Sequence, residues 1–314
     1  MKEIALALGG GGVRGIAHVG VLKALVSEGY SIRAIAGTSA GGIVGAAFTC
    51  GYSTVEIENI AKNLNDLKIF SPSFSDSPSI LGLSGFEKEL LRYIGNTKFE
   101  QLKIPFGCTA VEINSAQEFV FTTGRLLDAV MATIAVPGIF PPKQIGEYMF
   151  VDGAILDPVP VALARWLAPN LPIMAVCLTP PPEDWAHMPP MINPPHSPLT
   201  KPILDQFSRL RIGRAFHVFS RSMETTARML AELRMKLDKP DIILRPDVGQ
   251  IGVLDVVSTD DLIKKGEQSV YNARKDIHQA FGMTKQFVRM FNQPVLPGKE
   301  IKNSDNLSQE ISQK

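Results

Sequence analysis

At 314 residues with 45% hydrophobic content, the chain carries apolar material for one large domain or two ordinary ones. Its 32 basic and 31 acidic residues leave a net charge of +1, which excludes a whole-chain field of the kind that draws nucleic acid. Three widely spaced cysteines, Cys50, Cys108 and Cys177, exclude a disulfide framework and a Cys-x-x-Cys metal or redox motif, and read as buried apolar residues in a reducing compartment.

Ile4-Ala5-Leu6-Ala7-Leu8 is an unbroken apolar run that predicts a first strand, and the glycines after it end the run before a signal-peptide core could form. A helix over 13–28, a strand over 32–36 and a helix over 40–48 follow. This βαβα start predicts a parallel sheet covered by helices. Residues 32–50 approach the length of a membrane span, about 20 residues, but their Gly, Ser and Thr interruptions suit a buried strand, turn and tightly packed helix.

Ser53-Thr54-Val55-Glu56 has capping-box spacing and predicts a helix to about residue 67. The Ser-, Pro- and Gly-rich stretch 70–85 reads as a loop with access to a site. A helix over 86–94, strands over 104–112 and 118–122 around Asn114-Ser115, and a helix over 126–135 come next, the last stopped by Pro137, Pro141 and Pro142. A strand over 148–151 runs into Asp152-Gly153-Ala154, with a helix over 159–167 and a strand over 173–178 beyond it.

Residues 180–202 contain nine prolines and form an irregular excursion, expected with 70–85 to rim an apolar trench as a lid. A helix over 204–237, a strand over 241–244 and a final helix over 260–281 follow. Within the long helix Arg214, Arg221 and Arg228 share one face opposite an apolar stripe, a solvated face on a core helix or a surface for anionic lipid. The expected organisation is a single α/β domain over 1–290, with its core motifs in 4–160, and a disordered tail over 291–314.

Two motifs carry chemistry. Gly37-Thr38-Ser39-Ala40-Gly41 is a Gly-x-Ser-x-Gly turn between strand and helix, which lifts a serine hydroxyl into the open; Gly37 and Gly41 permit the sharp backbone and close packing. Upstream, Gly9-Gly10-Gly11-Gly12-Val13-Arg14-Gly15 offers bare N–H groups at a helix start, suited to the negative oxygen of a tetrahedral intermediate. The same loop satisfies the dinucleotide fingerprint, but the second strand ends without the acidic residue that would hold a ribose. A serine nucleophile needs a base. Of His18, His187, His196, His217 and His278, none stands in a strand-end turn, and Asp157 is a rival to Asp152.

These motifs, together with Ala132-Thr133-Ile134-Ala135-Val136-Pro137 and Asp152-Gly153-Ala154 in that order, resemble the patatin-like phospholipases over 4–160 and, more weakly, to about 281. The resemblance implies a three-layer α/β/α fold with a mostly parallel central sheet, and a lipid acyl hydrolase using a Ser-Asp dyad. It places Ser39 on the nucleophile, Asp152 on the base, and Gly10, Gly11 and Gly12 with the Ala40 N–H at the oxyanion hole. Arg14, Gly37, Gly41 and Gly153 fall in supporting places, and Ala154 departs from a glycine found in many members. No metal or organic cofactor is implied. The expected partner is an acyl lipid or phospholipid, with no nucleic acid, for a cytoplasmic protein open to peripheral contact with the inner membrane surface. A low-turnover lipid-binding or regulatory module is the competing class, and oligomeric state is left open.

Overall fold

The computed structural model describes residues 2–64, 71–72, 81–187, 211–253, 255, 257–282, 287, 289 and 294–300. β1 (Lys2–Leu8), a 3-10 turn at Gly12–Ile16, α1 (Ala17–Ser27), β2 (Tyr30–Gly37) and α2 (Ala40–Cys50) form the expected βαβα start. α3 (Thr54–Leu64) opens on the predicted capping box, with Ser53 N–H donating to Glu56 Oε2 at 2.7 Å. A minimal hairpin of β3 (Ser71–Pro72) and β4 (Leu81–Gly82) precedes α4 (Ser84–Ile94). β5 (Phe106–Glu112) and β6 (Gln117–Phe121) turn where Glu112 accepts the N–H groups of Asn114 and Ser115 at 3.2 and 2.7 Å.

After α5 (Leu126–Thr133), β7 (Lys143–Ile145) and β8 (Tyr148–Asp152) make a hairpin of which only the second strand is expected from the sequence. α6 (Val161–Leu167), β9 (Ile173–Val176), α7 (Arg211–Asp238) and β10 (Ile242–Leu244) follow. The expected final helix is two, α8 (Thr259–Asn272) and α9 (Arg274–Ala280). Lys299–Glu300, within the expected disordered tail, form β11, and Glu300 accepts the Thr122 hydroxyl at 2.7 Å. Most of the expected lid segments, and the helix start at 204–210, lie outside the described residues.

The sheet runs β10-β9-β1-β2-β5-β6-β11, parallel from β10 through β5. β5 changes partner along its length: residues 106–108 pair with β2, and residues 110–112 pair antiparallel with β8. That switch brings the end of β8, and Asp152 with it, alongside the end of β2.

The period-2 alternation of the buried strands segregates side chains by size. Ile4, Leu6 and Leu8 of β1 enter one core with α1, α2, α5 and α8, whereas Ala5 and Ala7, with Ala34, Ala36 and Ala175, line the other under α6 and α7. Two cores on opposite faces of one sheet make the three-layer α/β arrangement. Among the described residues no helix is long and apolar enough to cross a membrane.

Candidate active site

β2 ends at Gly37 and α2 begins at Ala40, so Ser39 occupies a turn of minimal length. Its backbone is forced to φ 54° and ψ −121°, the left-handed side that an L-residue adopts only under constraint. The constraint comes from packing: a Cβ on Gly41 would lie 2.1 Å from the Leu8 carbonyl oxygen, so α2 presses against the end of β1 in a way only glycine allows. Gly37 is in the same crush against the Gly41 carbonyl. Ser39 itself is 6% exposed.

Asp152 ends β8 and is equally enclosed. Its backbone N–H donates to the Ala135 carbonyl at 3.0 Å, and its Oδ1 accepts the Ala154 N–H at 2.8 Å. Burial raises the Asp152 carboxyl to about 6, although hydrogen bonds from the Ser39 hydroxyl and the Ala154 N–H pull the other way. Gly153 rests against Thr109, and Thr109 Oγ1 meets Thr38 Oγ1 at 2.9 Å. Thr38 in turn donates its hydroxyl to the Asp157 carbonyl at 2.9 Å, so the two turns are cross-linked beneath the Ser39–Asp152 pair. A serine hydroxyl beside a desolvated carboxylate is chemically able to pass its proton to it.

The glycine loop passes directly beside Ser39, since a Cβ on Gly10 would stand 3.2 Å from Ser39 Cβ. Gly12 has φ 58° and packs on the Val253 carbonyl. One expected donor needs correction: the Gly10 N–H is engaged by the Pro158 carbonyl at 3.0 Å and is not available to a ligand. Among the described residues the N–H groups of Gly11, Gly12 and Ala40 have no acceptor within the protein.

Arg14 is 3% exposed and orders the loop by donating from Nε to the Gly11 carbonyl at 3.2 Å. Its countercharge is Glu224 of α7, 3.5 Å from Nη1, which also takes Arg228 at 2.8 Å. The second contact from α7 is Arg234, 3.1 Å from the fully buried Asp157 and 2.8 Å from Glu118. Neither Asp157 oxygen has a well-aligned hydrogen bond, so this is an ion pair held by charge. Burial pushes the Asp157 carboxyl well above the usual range against the pull of Arg234.

The facing of α7 departs in part from the expectation. Arg228 turns inward to pair, while Val218, Met229, Leu233 and Leu237 are exposed. The buried charges of the loops beneath need counter-ions more than the outer face needs polarity. Arg234→Met should destabilise the fold by about 3–5 kcal/mol at pH 7, because it leaves two carboxylates facing each other out of water. In denaturant melts the loss should shrink as the pH is lowered and both take up protons.

Neither of the two histidines whose side chains are described stands beside Ser39. His18 is fully buried and its Nε2 donates to the Gly9 carbonyl at 2.7 Å; burial pushes it down to about 4, with that bond opposing, so it is a neutral anchor of the loop. His278 meets Lys2 at the far end of β1. The side chains of His187, His196 and His217 lie outside the described residues. Asp157 faces Arg234 and not Ser39. Thr38, Thr109, Glu224 and Arg234 were missed in the sequence because their partners lie 71 to 210 positions away.

A serine on a strained turn at the carboxyl edge of a parallel sheet, backed by a glycine loop, has the geometry of a nucleophile elbow. The chain belongs to the patatin-like phospholipase family, whose family model matches residues 6–165. It is 38% identical over 163 residues to an uncharacterized NTE family protein of Mycobacterium tuberculosis strain H37Rv, a match covering 51% of this chain and 45% of the relative. A second such protein of that strain is 27% identical over 274 residues, covering 85% of this chain and 46% of the relative. Lysophospholipase NTE1 of Meyerozyma guilliermondii is 32% identical over 166 residues, 51% of this chain and 12% of that protein. The matches thus span less than half the length of these curated relatives. Among solved structures, VipD from Legionella pneumophila aligns with a TM-score of 0.48 at 11% identity, over 88% of this chain and 67% of that one.

Proposed function

We propose that the protein is a serine lipid acyl hydrolase in which Ser39 is the nucleophile and Asp152 the base. The arrangement that carries this reading is Ser39 on a turn held at φ 54° with the buried Asp152 carboxyl beside it, which burial raises to about 6 against the pull of the Ser39 hydroxyl. A base with a pKa near the working pH both stays ionised and accepts a proton effectively. Family membership adds the substrate class, acyl lipid or phospholipid.

In the first half-reaction the Ser39 oxygen attacks the ester carbonyl carbon as Asp152 takes its proton. The carbonyl oxygen, now negative, is met by the N–H groups of Gly11, Gly12 and Ala40. The C–O bond to the leaving group breaks, and the Asp152 proton passes to that oxygen, giving an alcohol or lysolipid and an acyl-Ser39. Water then attacks the acyl carbon, Asp152 takes its proton, and the fatty acid leaves as that proton returns to Ser39.

Arg14 sets the path of the loop and Gly153 seats the Asp152 turn on Thr109. The exposed apolar side chains of α7 support peripheral contact with a lipid surface. A fluorophosphonate should label the chain once, at Ser39 by peptide mapping, and block release of alcohol from a nitrophenyl ester. Labelling elsewhere, or ester turnover that persists after complete labelling, would refute the assignment.

A further inference from the structure

The segment 132–137, conspicuous in the sequence but without a role in the reaction as written, gathers two contacts. Ser39 donates its backbone N–H to Thr133 Oγ1 at 2.9 Å. Two residues on, the Ala135 carbonyl accepts the N–H of Asp152 at 3.0 Å. Nucleophile and base are both tethered, through their own backbones, to three consecutive residues at the exit of α5.

Thr133 is fully buried. Its methyl is packed against the first turn of α2, where a Cβ on Gly42 would stand 2.7 Å from Thr133 Cγ2. The methyl thus fixes the side chain and leaves the hydroxyl oxygen toward Ser39. At the positive φ of Ser39 its amide turns into the protein, away from solvent, where an unpaired N–H opposes that conformation. An acceptor at that point favours the elbow over relaxed backbones that would carry the hydroxyl off the Asp152 carboxylate.

We infer that Thr133 is a positioning residue of the acyl-transfer reaction. By accepting the Ser39 amide it holds the elbow in its strained form, and through the short covalent path to Ala135 it fixes the serine against Asp152. It touches neither the ester nor the transferred proton. The inference rests on the hydrolase reading above and adds a residue to it.

The test compares Thr133→Val, which keeps the volume and loses the acceptor, with Thr133→Ser, which keeps the acceptor, in the full chain on a soluble nitrophenyl ester. In the Val variant kcat and the rate of fluorophosphonate labelling should fall together by roughly 10- to 100-fold, with KM within about twofold. The Ser variant should recover to within about threefold of wild type. Thr133→Ala serves in place of Val if the latter does not fold, with the same expected loss.

Hydrogen exchange at the Ser39 amide gives a readout independent of turnover: protected in wild type and Ser, and roughly tenfold or more faster in Val or Ala. Wild-type labelling and exchange rates in the Val or Ala variant would overturn the inference while leaving the hydrolase reading intact. So would equal losses in Ser and Val that track their melting temperatures, since Thr133 would then act through packing alone. A wild-type chain that is never labelled at Ser39 would overturn both.

Discussion

Ser39→Ala and Asp152→Asn should each lower hydrolysis of a short acyl ester by roughly 10⁴-fold or more, and the double variant should be scarcely slower than either. The two side chains perform one event, the departure of the hydroxyl proton as the oxygen attacks, so losing one leaves the other little to do. Ala removes the attacking atom. Asn keeps the size of Asp152 and can still be met by the Ala154 N–H, but it cannot receive a proton at neutral pH. Steady-state rates with circular dichroism as the folding control decide the matter. A fully active Asp152→Asn variant would remove the aspartate from the reaction, and losses that multiply in the double variant would separate the two roles.

The pH profile supplies the second large effect. With the Asp152 carboxyl at about 6, kcat/KM on a non-ionising ester should climb through pH 6 to a plateau, and at pH 4 should stand about 100-fold below it. The same shift acts on stability with the opposite sign. The folded state binds this proton more tightly than the unfolded chain, whose carboxyl titrates near 3.9, so ionisation opposes folding. That penalty is absent below pH 4, grows through pH 6 and is complete above it. Two pKa units correspond to about 3 kcal/mol. Asp152→Asn should therefore be more stable than wild type by about 1–3 kcal/mol at pH 8 and no more stable at pH 4. An acid limb near pH 4, or a stability difference that does not vary with pH, would mean a solvated carboxyl.

Much of this site could be read from the chain because its parts are local. Gly-x-Ser-x-Gly needs only five consecutive residues to specify a turn, and the apolar run before the glycines needs only its alternation to lie between two cores. The fate of the Gly10 N–H was not readable, since its acceptor, Pro158, lies in the segment after β8, far along the chain, and is placed by the pairing of β8 with β5. Nor was the facing of α7. Heptad-spaced arginines read as an outer stripe when the helix is considered alone; Arg228 instead pairs with Glu224, the countercharge of the buried Arg14 on another element. β7 escaped for a simpler reason: its three residues are too few to show a period.

The family match ends at residue 165, yet the electrical neutrality of the matched part is completed beyond it. Arg14 and Asp157 both belong to the matched segment, and their partners Glu224 and Arg234 both belong to α7. A fragment cut at the family boundary would keep the serine, the aspartate and the glycine loop, and would carry an orphaned buried cation at one turn and an orphaned buried anion at the other. In this chain the portion matched by the family model is an open circuit, and α7 is what closes it. Grafts or truncations guided by family boundaries alone should accordingly be judged first on whether they retain that helix.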